Sequence, residues 1–191
     1  MFLKPILDSN VAGQGYYYLL ASPIPQWDKY KEEITQLSIE KHLENYDPDF
    51  GFNVRLHKNA HPIIPVLYKE FEELCRFNFD NIAIDPRNPG DLWAYVQNKE
   101  HYNSVWHNHK RTATINAVWY PKLPDSSAKL EVRDGEGTIP LNIQEGFIYV
   151  FPYWMDHRPL PNKTVNDWRV SINIELLTNT RVIHKESRVM W

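Results

Sequence analysis

The sequence predicts a mainly-β domain, an antiparallel sandwich or barrel with two helices laid against it. Three observations carry that expectation. Helical spacing of apolar residues is confined to the first half of the chain. From Leu92 onward, short runs rich in β-branched and aromatic residues follow one another, with turn-forming segments between them. No helical pattern interrupts those runs.

Taken in order, residues 1–25 read as a strand or two: NVAGQG is a turn signal, YYYLLA a short buried strand and SPIPQ a break. Residues 27–45 read as a helix, because Trp27, Tyr30, Ile34 and Leu37 follow three-and-four spacing. Residues 64–76 read as a second helix with Leu67, Phe71, Leu74 and Cys75 as its apolar stripe and Pro65 in the first turn. That stripe makes Cys75 a core residue. NIAIDPRNPGD is a turn-rich connection. The strand-like runs are LWAYVQN, TINAVWY, AKLEV, FIYVF and RVSINIEL, divided by segments such as PKLPDSS, RDGEG and PLPNK. Residues 1–191 are expected to form one domain. Within it, 1–91 give helical support and 92–177 the β core, since either piece alone is small.

Composition narrows the function. A chain of 191 residues with 42% hydrophobic and 14% aromatic residues has the material for a packed core or a ring-walled pocket. A net charge of -3 and the lack of a long basic run give nucleic-acid binding no compositional support. One cysteine excludes an intrachain disulfide and a thiolate metal cluster. YYYLLA is too short to span a membrane, and no basic segment precedes it as in a secretory leader. The expected setting is cytoplasmic.

Chemistry concentrates in HYNSVWHNHKRTATINAVWY. His107 and His109 lie two residues apart, so an extended backbone points both rings to one side and Asn108 away. Two imidazoles on one side can hold adjacent corners of a coordination sphere. His157, placed where an apolar strand gives way to a turn, is the candidate third ligand. In RVSINIEL, Val170, Ile172, Ile174 and Leu176 alternate with Arg169, Ser171, Asn173 and Glu175. If the first set packs on the helices, the second lines the inside. An inward arginine demands an anion, and its planar fork suits a carboxylate.

These residues resemble the iron(II)- and 2-oxoglutarate-dependent oxygenases, and most closely a phage and bacterial branch with a histidine-any-histidine motif. Asn103, HNH, the aromatic pair Trp119 and Tyr120, GFIYVFPYWMDH and RVSIN stand in the branch's order, over about residues 92–177. The resemblance implies a double-stranded β-helix of the jelly-roll, cupin-like kind, supported by N-terminal helices. It implies Fe(II) held by His107, His109 and His157, with 2-oxoglutarate and O2 as cosubstrates. The far carboxylate of 2-oxoglutarate would meet Arg169, assisted by Ser171. Tyr102, Asn103 and Tyr120 would belong to the cosubstrate wall. Decarboxylation to succinate would drive hydroxylation or another oxidation of a substrate C–H bond, on a metabolite or a protein side chain. For a phage-encoded protein, the setting would be the host cytoplasm.

The chain departs from the wider superfamily at His109, where a carboxylate is usual. Three imidazoles would leave the metal's 2+ charge unneutralised by its ligands, and Asp156, beside His157, is the alternative oxygen donor. Trp106, Trp119 and Trp154 fit core or pocket equally. His42, His57, His61, His101 and His184 have no partner at ligand spacing and read as structural or exposed. Rival readings are a cupin-like metal protein, a zinc site of three histidines and water, and a barrel that only binds. The cupin reading lacks the glutamate expected after its first motif, since HKRTATIN has none.

Overall fold

The computed structural model describes residues 2–5, 16–46, 53–57, 59–80, 92–101, 104–109, 115–124, 129–133, 137–162, 165–176 and 183–184. Its elements, in chain order, are β1 (Phe2–Pro5), β2 (Tyr16–Pro23), α1 (Trp27–Asn45), β3 (Asn53–Arg55), α2 (Ile63–Asn78) and β4 (Phe79–Asp80). There follow β5 (Leu92–Gln97), β6 (Ile115–Lys122), β7 (Lys129–Arg133), β8 (Thr138–Asn142), β9 (Phe147–Pro152), β10 (His157–Pro159), β11 (Arg169–Leu176) and β12 (Ile183–His184). The connection NIAIDPRNPGD, residues 81–91, lies outside the described residues, as do Tyr102 and Asn103.

Seven strands form one sheet in the order β1-β2-β9-β6-β11-β5-β3. Three form a second in the order β10-β7-β8, and β12 pairs with β4. Every pairing among the described residues is antiparallel. Strand alternation gives the large sheet two working faces. Ile115, Ala117, Trp119, Ile148, Val150, Val170, Ile172 and Ile174 pack with Ile34 of α1 and Leu67, Phe71 and Cys75 of α2. On the other face Val118, Tyr120, Tyr149 and Phe151 meet Leu130 and Val132 of β7. The layers are therefore helices, large sheet and small sheet, an arrangement that resembles a jelly roll.

The helices form where apolar spacing placed them. In α2, Leu67, Phe71 and Cys75 follow one another at i, i+4 and i+8 and are fully buried. Pro65 sits in the first turn, where its missing N–H costs no helical bond. In α1 the deepest stripe is Ile34, Ser38 and His42, while Trp27, Tyr30 and Leu37 pack at its margin. Ser38 is satisfied by donating to the Ile34 carbonyl at 2.8 Å. Gly146 ties this helix to the sheet. Its N–H donates to the Tyr120 carbonyl, its carbonyl accepts from Ile24, and its φ is 81°. A Cβ there would run into the Trp27 ring, so only glycine fits.

Three parts of the β region depart from the sequence pattern. Strand β8 was not expected, His157 opens a short strand, β10, paired with β7 where a turn was expected, and the His107 segment is no regular strand. His107 makes only an isolated antiparallel bridge with His157.

Candidate metal centre

The ligand-bearing segment is held by three backbone bonds. His107 N–H donates to the His157 carbonyl at 3.1 Å, and His157 N–H returns to the His107 carbonyl at 2.9 Å. His109 N–H donates to the Tyr153 carbonyl at 2.7 Å. The turn after β9 is closed by Met155 N–H on the Pro152 carbonyl at 3.0 Å, which sets His157 opposite His107. The two-residue spacing works as expected, although a bridge and not a ladder enforces it. Asn108 points away and donates its amide to Asp156 Oδ1 at 2.7 Å. That contact engages the carboxylate considered as an alternative ligand.

The three rings converge. One ligand nitrogen from each of His107, His109 and His157 falls within 4.8 Å of the others. Every Nδ1 is already committed. His107 Nδ1 lies 3.0 Å from the Val105 carbonyl, and His157 Nδ1 lies 3.0 Å from the Met155 carbonyl. His109 Nδ1 lies 2.5 Å from Glu175 Oε1. These acceptors hold the ring proton on Nδ1 and leave Nε2 with a bare lone pair. His109 Nε2 and His157 Nε2 are 3.3 Å apart. Two bare nitrogens cannot hydrogen-bond each other, and a cation between them resolves the contact. Ligands about 2.1 Å from one ion in cis positions stand about 3.0–3.4 Å apart, so this pair fits a shared metal.

Electrostatics disfavour a charge on two of the three rings, His107 and His157. The pKa of His157 lies well below its ordinary value, first because the ring is buried and then because His107 and His109 oppose a second charge. That of His107 is also lowered, by desolvation first, against the pull of the Val105 carbonyl. His109 and His157 are buried, with Trp93 beside the former at 6.0 Å between ring centroids and Phe151 edge-on to the latter at 4.7 Å. His107 is the exposed member, so the site opens on its side.

A cation lies on the same inner face. Arg169 is 1% exposed, with Nη1 donating to the Leu160 carbonyl at 3.3 Å and its guanidinium 5.3 Å from the Tyr120 ring centre. Burial raises the pKa of the Tyr120 hydroxyl, while Arg169, which also hydrogen-bonds it, pulls the other way. Ser171 Oγ donates to the Tyr95 carbonyl at 3.4 Å.

Two inward residues escaped the sequence reading as site residues. Glu175 was placed on the polar side of its strand, yet nothing in its local sequence named His109 as its partner. Asn116 is fully buried on β6, with Glu175 and Phe151 as its lateral neighbours. Among the described residues neither end of its amide has a hydrogen-bond partner. Its signal was available: a lone polar residue sharing the parity of Val118 and Tyr120 in an apolar run.

The tryptophans divide clearly. Trp119 belongs to the helix-side core and Trp154 to the cluster between the sheets. Trp106 packs under Arg133, 3.9 Å from the ring centre, and Arg158, 4.7 Å from it. Arg158 is in turn held by Glu131 at 2.7 Å. The remaining described histidine side chains lie elsewhere. His42 meets His101 at 3.0 Å between ring nitrogens, His61 faces Glu33 at 3.4 Å, and His57 is exposed.

No protein-family model matches the sequence, and no curated protein matches it. Solved structures do. A prolyl 4-hydroxylase of Phytophthora capsici superposes with a TM-score of 0.60 at 14% identity, covering 84% of this chain and 59% of its own. The chain thus spans less than two thirds of that enzyme. A prolyl-4-hydroxylase of Pseudomonas putida gives 0.59 at 11% identity, covering 90% of this chain and 96% of its own. The non-heme alpha-ketoglutarate-dependent carbocyclase SnoK, from nogalamycin biosynthesis, gives 0.60 at 8% identity, with 87% and 81% covered. At such identities the likeness establishes a shared fold.

Proposed function

We propose that this protein is a non-haem iron(II) dioxygenase. It couples oxidative decarboxylation of 2-oxoglutarate to hydroxylation or oxidation of a C–H bond in a metabolite or protein side chain. Residues 92–177 are then a double-stranded β-helix core, supported by residues 1–91 in one domain. The observation that carries the reading is the set of three imidazoles that each bring one ligand nitrogen within 4.8 Å of the others, with every Nδ1 engaged and His109 Nε2 3.3 Å from His157 Nε2. A buried Arg169 on the same inner face supports it, because a hydrolytic zinc site needs no cation to receive a cosubstrate carboxylate.

In this reading His107, His109 and His157 hold the iron, which supplies the means to activate O2 against the keto acid. Arg169 receives the far carboxylate of 2-oxoglutarate, with the Tyr120 hydroxyl beside it and Ser171 assisting. Tyr102 and Asn103, outside the described residues, keep the cosubstrate role that the resemblance implies. Trp93 and Phe151 keep water from the inner side of the metal, so substrate approaches past His107. No helix among the described residues is long and apolar enough to cross a membrane.

The test is an anaerobic Fe(II) titration of the unmutated protein with and without 2-oxoglutarate, following the visible charge-transfer band of the chelate. The expected result is a band that needs both components, and succinate on admission of air with a competent substrate. Fe(II) binding with no spectral or calorimetric response to 2-oxoglutarate would reject the assignment in favour of the zinc-enzyme, cupin-like or binding-module readings.

A further inference from the structure

Replacing a carboxylate ligand by histidine removes one negative charge from a site built for a dication. The structure holds a carboxylate one atom-shell further out. Glu175 is 2% exposed, on the inner face of β11, with Oε1 2.5 Å from His109 Nδ1. A buried carboxylate is costly unless donors or a cation meet it. A ligating imidazole whose other nitrogen gives its hydrogen to a carboxylate is more basic at the metal and fixed in orientation.

We propose that Glu175 and His109 act as one composite ligand. Through the His109 ring, Glu175 supplies the negative charge that the usual carboxylate ligand supplies directly. The inference rests on the three-histidine metal centre proposed above. Glu175 is a positioning residue in this scheme, since it touches the metal only through His109. Of the three ligands only His109 has a charged Nδ1 partner, because the other two rings meet backbone carbonyls. The charge is therefore placed at the position where the chain departs from the commoner ligand set.

One consequence reverses a simple expectation. His109→Asp looks like a repair that restores the commoner set. It instead sets a second carboxylate beside Glu175 and removes the N–H that Glu175 accepts from. The repair needs both changes, His109→Asp to install the charge and Glu175→Gln to remove the duplicate.

The experiment is a double-mutant cycle read by anaerobic Fe(II) calorimetry, with Tm of the metal-free proteins beside it. Glu175→Gln is expected to weaken Fe(II) by roughly 10- to 100-fold. His109→Asp is expected to bind weakly and melt lower than the unmutated chain. H109D/E175Q is expected to bind at least about tenfold more tightly than H109D, and to melt higher. A structural glutamate would lower Tm in the double variant further and would not rescue affinity. Should E175Q fail to fold, H109D and H109D/E175Q decide alone, because the double variant holds one buried carboxylate at this position where H109D holds two. Equal Fe(II) affinity in H109D and H109D/E175Q overturns the composite ligand while leaving the metal centre standing. No Fe(II) binding by the unmutated chain overturns both.

Discussion

The large sheet is buried on both faces, and the two faces are made of different chemistry. Toward the helices, β6 and β11 present Ile115, Ala117, Trp119, Val170, Ile172, Ile174 and Leu176, all buried. Toward the small sheet, the same strands present Asn116, Tyr120, Arg169, Ser171 and Glu175, also buried. Burial therefore does not separate structure from function here. What separates them is the cost of what is buried. Apolar area on the helix side contributes about 25 cal/mol per Å2, whereas each polar group on the inner side needs a partner to break even. The helix side is closed mainly by apolar packing, whereas the inner side mixes these polar groups with an apolar cluster around Val118, Tyr149 and Phe151.

The sharpest way to break that division is to cut residues of one strand, β11, on opposite faces. Ile172→Ala, on the helix side, is expected to cost about 2–5 kcal/mol of stability and leave 2-oxoglutarate affinity in the folded protein unchanged. Arg169→Ala is expected to weaken 2-oxoglutarate by roughly 30-fold or more, with Fe(II) affinity nearly intact. Arg169→Lys should recover only part, because a point charge cannot reproduce a two-pronged contact. Urea unfolding and calorimetry on the same samples read both quantities. A folded Arg169→Ala variant with unchanged 2-oxoglutarate affinity would remove the cosubstrate role from this arginine.

His42 is a titratable intrusion on the helix side, and it yields a pH effect. Burial, then the neighbouring His101, lowers its pKa to about 4. Below about pH 6.5 the unfolded chain takes up a proton that the folded chain refuses, so stability falls as pH drops from about 6.5 to about 4. The loss is on the order of 1–3 kcal/mol. His42→Gln is expected to flatten that part of the stability profile; an unchanged slope would place the effect elsewhere.

The smallest effect sharpens the comparison most. Asn116→Leu replaces a buried amide that has no partner among the described residues by an apolar side chain of similar size. A structural asparagine would lose stability. Here the metal-free protein is expected to hold its Tm or gain up to about 1 kcal/mol. A clear fall in Tm would show that the amide has partners in solution.

Much of this was legible because it is local. Trp27–Asn45 was bounded by its apolar spacing and by the break at SPIPQ, and Arg169–Leu176 by strict alternation. The three histidines could be grouped because His107 and His109 share parity and His157 follows a strand end. Strand β8 was missed because TIPLN is an edge strand that alternates between exposed and half-buried and contains Pro140, so it carries little apolar signal. The partners of His109 and His42 were beyond reach for another reason. Glu175 lies 66 residues from His109, and His101 lies 59 from His42. Only the folded topology brings such pairs together.

The backbone bridge between His107 and His157 gives the centre its own clock. Two candidate ligands exchange both their peptide hydrogen bonds with each other, and the third hangs from Tyr153 by one more. For the segment to swing away from the rings, these few bonds must open. The solvent-exchange rates of those three amides therefore report the opening frequency of the loop. That frequency sets a ceiling on how quickly the centre can be emptied or refilled if loop opening is the required route.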